Sequence, residues 1–147
     1  MRLAVGSDER TNLTDFVVEE LRNRGFELEL YGPLNEEDIQ WTDVAHKVAK
    51  RVMEGLCEQG ILFCWTGTGA SIAANKVPGI RAALCTDAQT AEGARKWNDA
   101  NVLAMSLRST SETVAKEILD AWFKASPDEE EKININKVSE IERKYSR

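Results

Sequence analysis

Five short strand-like segments, separated by polar turns and stretches of helical periodicity, restrict most sharply what this chain can fold into. The segments fall at residues 2–5, 26–30, 60–64, 80–85 and 101–105. After the first, Leu13, Phe16, Val17 and Leu21 recur at helical spacing until Gly25 stops them. Val44, Val48 and Val52, backed by Ala45 and Ala49, mark a second helix, and residues 70–76, 88–97 and 113–123 read as three more. Strands alternating with helices of about 10–12 residues form βαβ units, whose right-handed crossovers lay helices on both faces of a parallel sheet. The expectation is therefore an α/β fold: a doubly wound, Rossmann-like three-layer sandwich with a five-stranded parallel sheet and a C-terminal helical extension. Phe26, Leu28 and Leu30 alternate with Glu27 and Glu29, as in a half-exposed strand near an edge, whereas 60–64 and 80–85 read as buried strands.

The 147 residues (16.4 kDa) suit one compact domain spanning 1–147, and no linker or repeat divides them. Ser126-Pro127 ends the last long helix, the acidic run at 128–131 reads as a solvated loop, and a polar helix is expected at 137–144. The formal charge of -6, with no basic run interleaved with aromatics, argues against nucleic acid and acidic membranes as partners. No apolar stretch reaches the 18 or so residues of a membrane span, the N-terminus lacks the apolar core of a signal peptide, and a cytoplasmic location is expected. Cys57, Cys64 and Cys85 form neither a disulfide framework nor a zinc spacing, and the single histidine, His46, lies off the valine stripe as a surface residue would. No metal site is expected.

In parallel sheets ligands collect beyond the carboxyl ends of the strands, which directs attention to the loops after Val5, Cys64, Cys85 and Met105. The richest is Cys64-Trp65-Thr66-Gly67-Thr68-Gly69-Ala70-Ser71. Two glycines permit tight backbone geometry, hydroxyls supply polar contacts, and a following helix offers unpaired N–H groups. It lacks the lysine of a P-loop and the third glycine of a dinucleotide fingerprint, so it reads either as a cradle for an anion or enolate or as a structural turn. Cys64 reads either as a small buried hydrophobe or as a base whose thiolate nearby amides favour. Asp8 ends the first strand, where parallel topology brings it toward Cys64; an Asx turn or helix cap is the alternative. Arg10 is either an anion ligand or a surface arginine, and the amides around Asn98 are either ligands or turn formers. Trp41, Trp65, Trp97 and Trp122 suit core or oligomer contacts.

The run at 60–76, continuing through Gly79-Ile80-Arg81-Ala82-Ala83-Leu84-Cys85, resembles the signature of the ribose-5-phosphate isomerase B and galactose-6-phosphate isomerase family. Asn98-Asp99-Ala100-Asn101-Val102-Leu103-Ala104, Gly6 with Asp8, and Asp120-Ala121-Trp122 extend the likeness over residues 1–125. The resemblance implies a homodimer or dimer of dimers with sites between subunits, residues 126–147 packing on the partner, and cofactor-free interconversion of aldose and ketose phosphates. On the matching positions Cys64 would move a proton between C1 and C2 of the open-chain sugar. Thr66 and the amides of Gly67, Thr68, Gly69, Ala70 and Ser71 would steady the cis-enediolate, while Asp8 and Asn98 would hold sugar hydroxyls.

Several positions depart from the family. Glu9 and Trp97 stand where it usually has histidines, one gripping phosphate and the other opening the sugar ring; an indole exchanges no proton at neutral pH. Trp65 replaces a loop glycine and narrows the expected pocket. Asp128-Glu129-Glu130-Glu131-Lys132 stands where the family has an arginine-bearing phosphate grip, leaving Arg10, Lys132 and Lys137 as local cations. The expected ligand is therefore a phosphorylated sugar or polyol-derived molecule other than ordinary ribose 5-phosphate. A catalytically silent sugar-phosphate-binding or oligomer-partner protein of the same fold is the alternative.

Overall fold

The structure is a computed structural model that describes residues 1–146. The chain runs β1 (Arg2–Ser7), α1 (Asn12–Asn23), β2 (Glu27–Tyr31), a 3-10 turn (Gly32–Asn35), α2 (Trp41–Met53), β3 (Gln59–Cys64), α3 (Thr68–Ala74) and β4 (Ala82–Leu84). It continues through α4 (Ala88–Asn98), β5 (Val102–Ser106), α5 (Glu112–Lys124), a second 3-10 turn (Glu129–Glu131) and α6 (Lys132–Tyr145). The strands form one sheet in the order β2-β1-β3-β5-β4, every neighbouring pair parallel. The expected five-stranded parallel α/β architecture is thus the observed one.

Crossover handedness explains which helices share a face. The steps β1 to β2 and β4 to β5 run one way along the sheet, and β2 to β3 to β4 the other, so right-handed connections put α1 and α4 on one side and α2 and α3 on the opposite side. Two cores result. Val5, Leu21, Phe63, Met105, Ile118 and Trp122 belong to the first, on the side where α5 joins α1 and α4; Ala4, Val44, Val48, Leu62 and Cys64 belong to the second. Alternate residues of β3 enter opposite cores because successive strand side chains point to opposite faces. Trp122 is fully buried, and its indole N–H donates to Gln59 Oε1 at 2.9 Å, so the ring is sequestered without an orphaned donor.

Two expectations about elements need correction. The 80–85 run yields only the three-residue β4, half-buried at the sheet edge, because β5 inserts between it and β3. Periodicity cannot reveal that insertion. Ile80, Ala82 and Ala83 line one side of a groove of about 670 Å³ shared with Val138, Ile141 and Tyr145 of α6, while Cys85 stays fully buried in the first core. The Asn75 side chain accepts from Ala82 N–H and donates to Ala82 C=O, occupying part of the open edge. The acidic segment is likewise not a plain loop: Glu129–Glu131 forms a 3-10 turn leading into α6, which begins at Lys132 rather than residue 137. Negative side chains just before a helix start oppose the positive end of its dipole, which favours this arrangement. α6 rests on its own chain, where the Glu142 carboxylate accepts from Gly79 N–H at 3.0 and 3.1 Å. Among the described residues no helix is long and apolar enough to cross a membrane.

Candidate active site

The chain moves outward from β1 to β2 and then returns past β1 to β3, so the strand order reverses between β1 and β3. Ligands in open α/β sheets settle at such a switch point. Ser7 is paired with Phe63 there, which sets Asp8 beside Cys64 at the carboxyl edge. On the far side of Cys64 its register partner is Ser106 of β5.

The first loop is held by Ser7, whose buried hydroxyl donates to Glu9 C=O at 2.5 Å and accepts from Glu9 N–H at 3.2 Å. Capping of α1 falls to Thr11, which forms a reciprocal capping box with Thr14, so the cap alternative for Asp8 fails. Asp8 Oδ1 is buried and has no hydrogen-bond partner among the described residues. Burial, and secondarily the charge of Glu9, raises the Asp8 pKa above the ordinary carboxylate value. Glu9 is exposed, and Arg10 points to solvent in an ion pair with Asp15 at 2.9 Å.

The Cys64 loop is fastened from the other direction by the turn after β5. Cys64 C=O accepts from Leu107 N–H at 3.0 Å, and Trp65 C=O accepts from both Arg108 N–H and the Ser106 hydroxyl at 2.9 Å. Gly67 has φ +81°, and an added Cβ would lie 2.5 Å from Leu84 Cδ1 and 3.1 Å from the Met105 carbonyl carbon. Glycine is required there on both counts. Thr66 Oγ1 and Thr68 Oγ1 are 2.8 Å apart in one hydrogen bond. Ser71 N–H is used by Gly67 C=O at 3.2 Å, so this amide of the expected cradle is already paired. The amides of Gly67, Thr68, Gly69 and Ala70 have no such partner among the described residues. Cys64 is 6% exposed at the entrance to this turn, while Trp65 projects into solvent.

The other two thiols are poor candidates for proton transfer. Burial, then the Glu29 carboxylate, pushes the Cys57 thiol up to about 11, and burial pushes Cys85 up to about 12. His46 is exposed on α2.

Trp97 and Asn98 do not join the site within one chain. They close α4 just before β5 begins, at the amino-terminal edge of the sheet, whereas Asp8 and Cys64 stand at the carboxyl edge. The indole of Trp97 folds back over Gly93, and both residues are exposed. Two participants escaped sequence reasoning. Ser106 ties down Trp65, and its only signal was its place in a loop at the correct sheet edge; Trp41 lies over Gly69, a contact that no spacing rule gives.

A parallel α/β sheet carrying a carboxylate, a shielded thiol and a turn with free amides at its switch point defines a small-molecule site of α/β enzyme type. The family model described as Ribose/Galactose Isomerase matches residues 3–141, and the chain belongs to that family of sugar-phosphate isomerases. It is 39% identical over 128 residues to D-erythrulose-4-phosphate isomerase of Pectobacterium atrosepticum, covering 85% of this chain and 84% of the relative. To ribose-5-phosphate isomerase B of Escherichia coli it is 42% identical over 109 residues, covering 74% and 73%. The Clostridium thermocellum ribose-5-phosphate isomerase B structure superposes with TM-score 0.92 at 41% identity, covering 99% of this chain and all of that one.

Proposed function

We propose that this protein interconverts an aldose phosphate and its ketose phosphate without a cofactor, using Cys64 as the base. A Cys64 thiolate takes the proton from the carbon beside the carbonyl, and the released electron pair forms a cis-enediolate. The hydroxyl proton passes from one enediolate oxygen to the other, and the thiol returns the carbon-bound proton to the neighbouring carbon as the carbonyl shifts. Thr66 and the unpaired amides of Gly67, Thr68, Gly69 and Ala70 face the charge that develops on oxygen, where fixed donors lower a barrier most effectively. Asp8 accepts hydrogen bonds from sugar hydroxyls. The observation that carries this reading is the placement of Cys64 beside Asp8 at the switch point, at the mouth of that turn.

The preferred substrate reacts from its open chain and is not ordinary ribose 5-phosphate. Trp97 supplies no acid or base for opening a ring, so a substrate that must first leave its cyclic form is disfavoured. A four-carbon sugar 4-phosphate cannot form a five-membered ring because the required oxygen is esterified, so it needs no ring opening. The relative named D-erythrulose-4-phosphate isomerase makes this substrate size the first to test.

The working unit is a homodimer or a dimer of dimers. Trp97 and Asn98, at the far sheet edge of their own chain, can serve a site only from a second copy. Ile72, Trp97, Ile141 and Tyr145 are more than half exposed, as side chains awaiting a partner would be. Solvent deuterium incorporation into a panel of four- to six-carbon sugar phosphates tests the reaction. Exchange into a tetrulose 4-phosphate supports it, whereas binding without exchange across the panel favours a silent sugar-phosphate-binding protein.

A further inference from the structure

We infer that Trp41 is a positioning residue of the Cys64 site, its indole clamping the turn at residues 66–70 so that the hydroxyls and free amides keep the geometry the reaction needs. The inference rests on the isomerase reading above. Trp41 is the first residue of α2, and that end of the helix lies at the carboxyl edge of the sheet. It is 42% exposed, belongs to neither core, and follows an N-cap, Gln40, that makes no side-chain capping bond. Core packing and capping therefore do not account for so large a side chain at this position.

Its contact with the turn is close. A Cβ on Gly69 would lie 2.9, 3.1 and 3.3 Å from Trp41 Cζ3, Cε3 and Cη2, so the ring rests against bare backbone and only glycine leaves it room. The turn is fastened before this point by the bonds from Leu107, Arg108 and Ser106 to Cys64 and Trp65, and after it by Ala70 in the second core. Between those anchors Gly69 is restrained by the indole. Thr66 and Thr68, whose hydroxyls share one hydrogen bond, flank Gly67, and Thr68 directly precedes Gly69. Donors that stabilise a transition state lose effect when displaced by even about 1 Å, at a cost of about 10²-fold in rate. A clamp on such donors acts on the chemical step more than on substrate affinity.

The test compares Trp41→Ala, Trp41→Phe, Gly69→Ala and the Trp41→Ala/Gly69→Ala double variant in full-length protein with circular dichroism matching wild type. In the exchange assay with a tetrulose 4-phosphate, Trp41→Ala should lower kcat by about 10- to 100-fold with KM within about threefold, the pattern of a contribution made only in the transition state. Trp41→Phe should recover most of the rate. Gly69→Ala displaces the indole from the opposite side and should also lower kcat, yet add little once Trp41 is gone. Wild-type kcat in folded Trp41→Ala or Gly69→Ala, or rate losses that multiply in the double variant, would overturn the assignment. If the wild type exchanges no sugar phosphate, the isomerase reading fails instead. The clamp is then judged from the amide NMR shifts of Thr68 and Gly69: movement in Trp41→Ala with return in Trp41→Phe supports it, and unmoved shifts refute it.

Discussion

Asp8 and Cys64 each follow by one residue the paired Ser7 and Phe63, which brings both to the carboxyl edge of the sheet on neighbouring strands. They come from strands separated in sequence by two helices and an edge strand. No local segment can assemble this pair; the return of the chain past β1 does so, and the free amides of the following turn give the pair a third element.

Cys64→Ser keeps nearly the same size but replaces the thiol with a far weaker acid, whose conjugate base is scarce at neutral pH. Exchange of the substrate carbon proton should fall by at least about 10²-fold, the lower range for a lost general base. Cys57→Ser and Cys85→Ser should leave exchange near wild type and reduce thermal stability, since both thiols are buried and held protonated. Wild-type exchange in Cys64→Ser would move the search for the base to Asp8 or Glu9.

Ribose 5-phosphate should be a poor substrate, with kcat/KM below about 10⁴ M⁻¹s⁻¹, and a tetrulose 4-phosphate a better one. Trp97→His should raise turnover of ribose 5-phosphate relative to the tetrulose phosphate by restoring a ring-opening group. Steady-state kinetics on both substrates decide this, and an unchanged ratio would remove Trp97 from the account of specificity.

In the proposed reaction Asp8 accepts hydrogen bonds from sugar hydroxyls most strongly as the carboxylate, and its pKa is raised first by burial and then by Glu9. Activity should therefore be lost as pH falls through that raised value. Glu9→Gln removes the neighbouring negative charge and should move the acid limb of kcat/KM to lower pH, without returning it to that of a free carboxylate because burial persists. An acid limb that stays in place in Glu9→Gln would show that another group controls it.

Glu29 on β2 carries a separate, structural dependence on pH. Arg51 grips both of its oxygens at 2.7 Å and the Tyr31 hydroxyl donates at 2.9 Å, holding its pKa at about 2 against an ordinary 4.5. A depressed carboxylate stabilises the fold above its unfolded pKa and loses that contribution as pH falls from about 4.5 toward 2. Solvent screening of this partly exposed pair keeps the contribution below that of a buried ion pair. Urea unfolding should show Glu29→Gln less stable than wild type at pH 7, with a flatter acid dependence. Equal slopes in the two proteins would contradict it.

Light scattering at micromolar concentration should give at least twice the 16.4 kDa chain mass. A monomer throughout that range would detach Trp97 and Asn98 from the site.

The amino-acid sequence by itself determined the elements and their order, because period-2 and period-3.6 patterning are local properties of the chain. Leu13, Val17 and Leu21 mark α1, the alternation of Glu27 and Glu29 with leucines marks the edge strand β2, and Gly67 and Gly69 mark the turn after Cys64. Parallel topology was enough to bring Asp8 toward that turn. The tertiary structure alone decided that β5 enters between β3 and β4, reducing the 80–85 run to a short edge strand, and that Trp97 and Asn98 face away from Cys64 in their own chain. It also decided that Ser106 fastens Trp65 and that Trp41 covers Gly69. Strand insertion and contacts between crossovers depend on how faces distant in sequence fill space together, and a hydrophobic period carries no record of which neighbour it will meet.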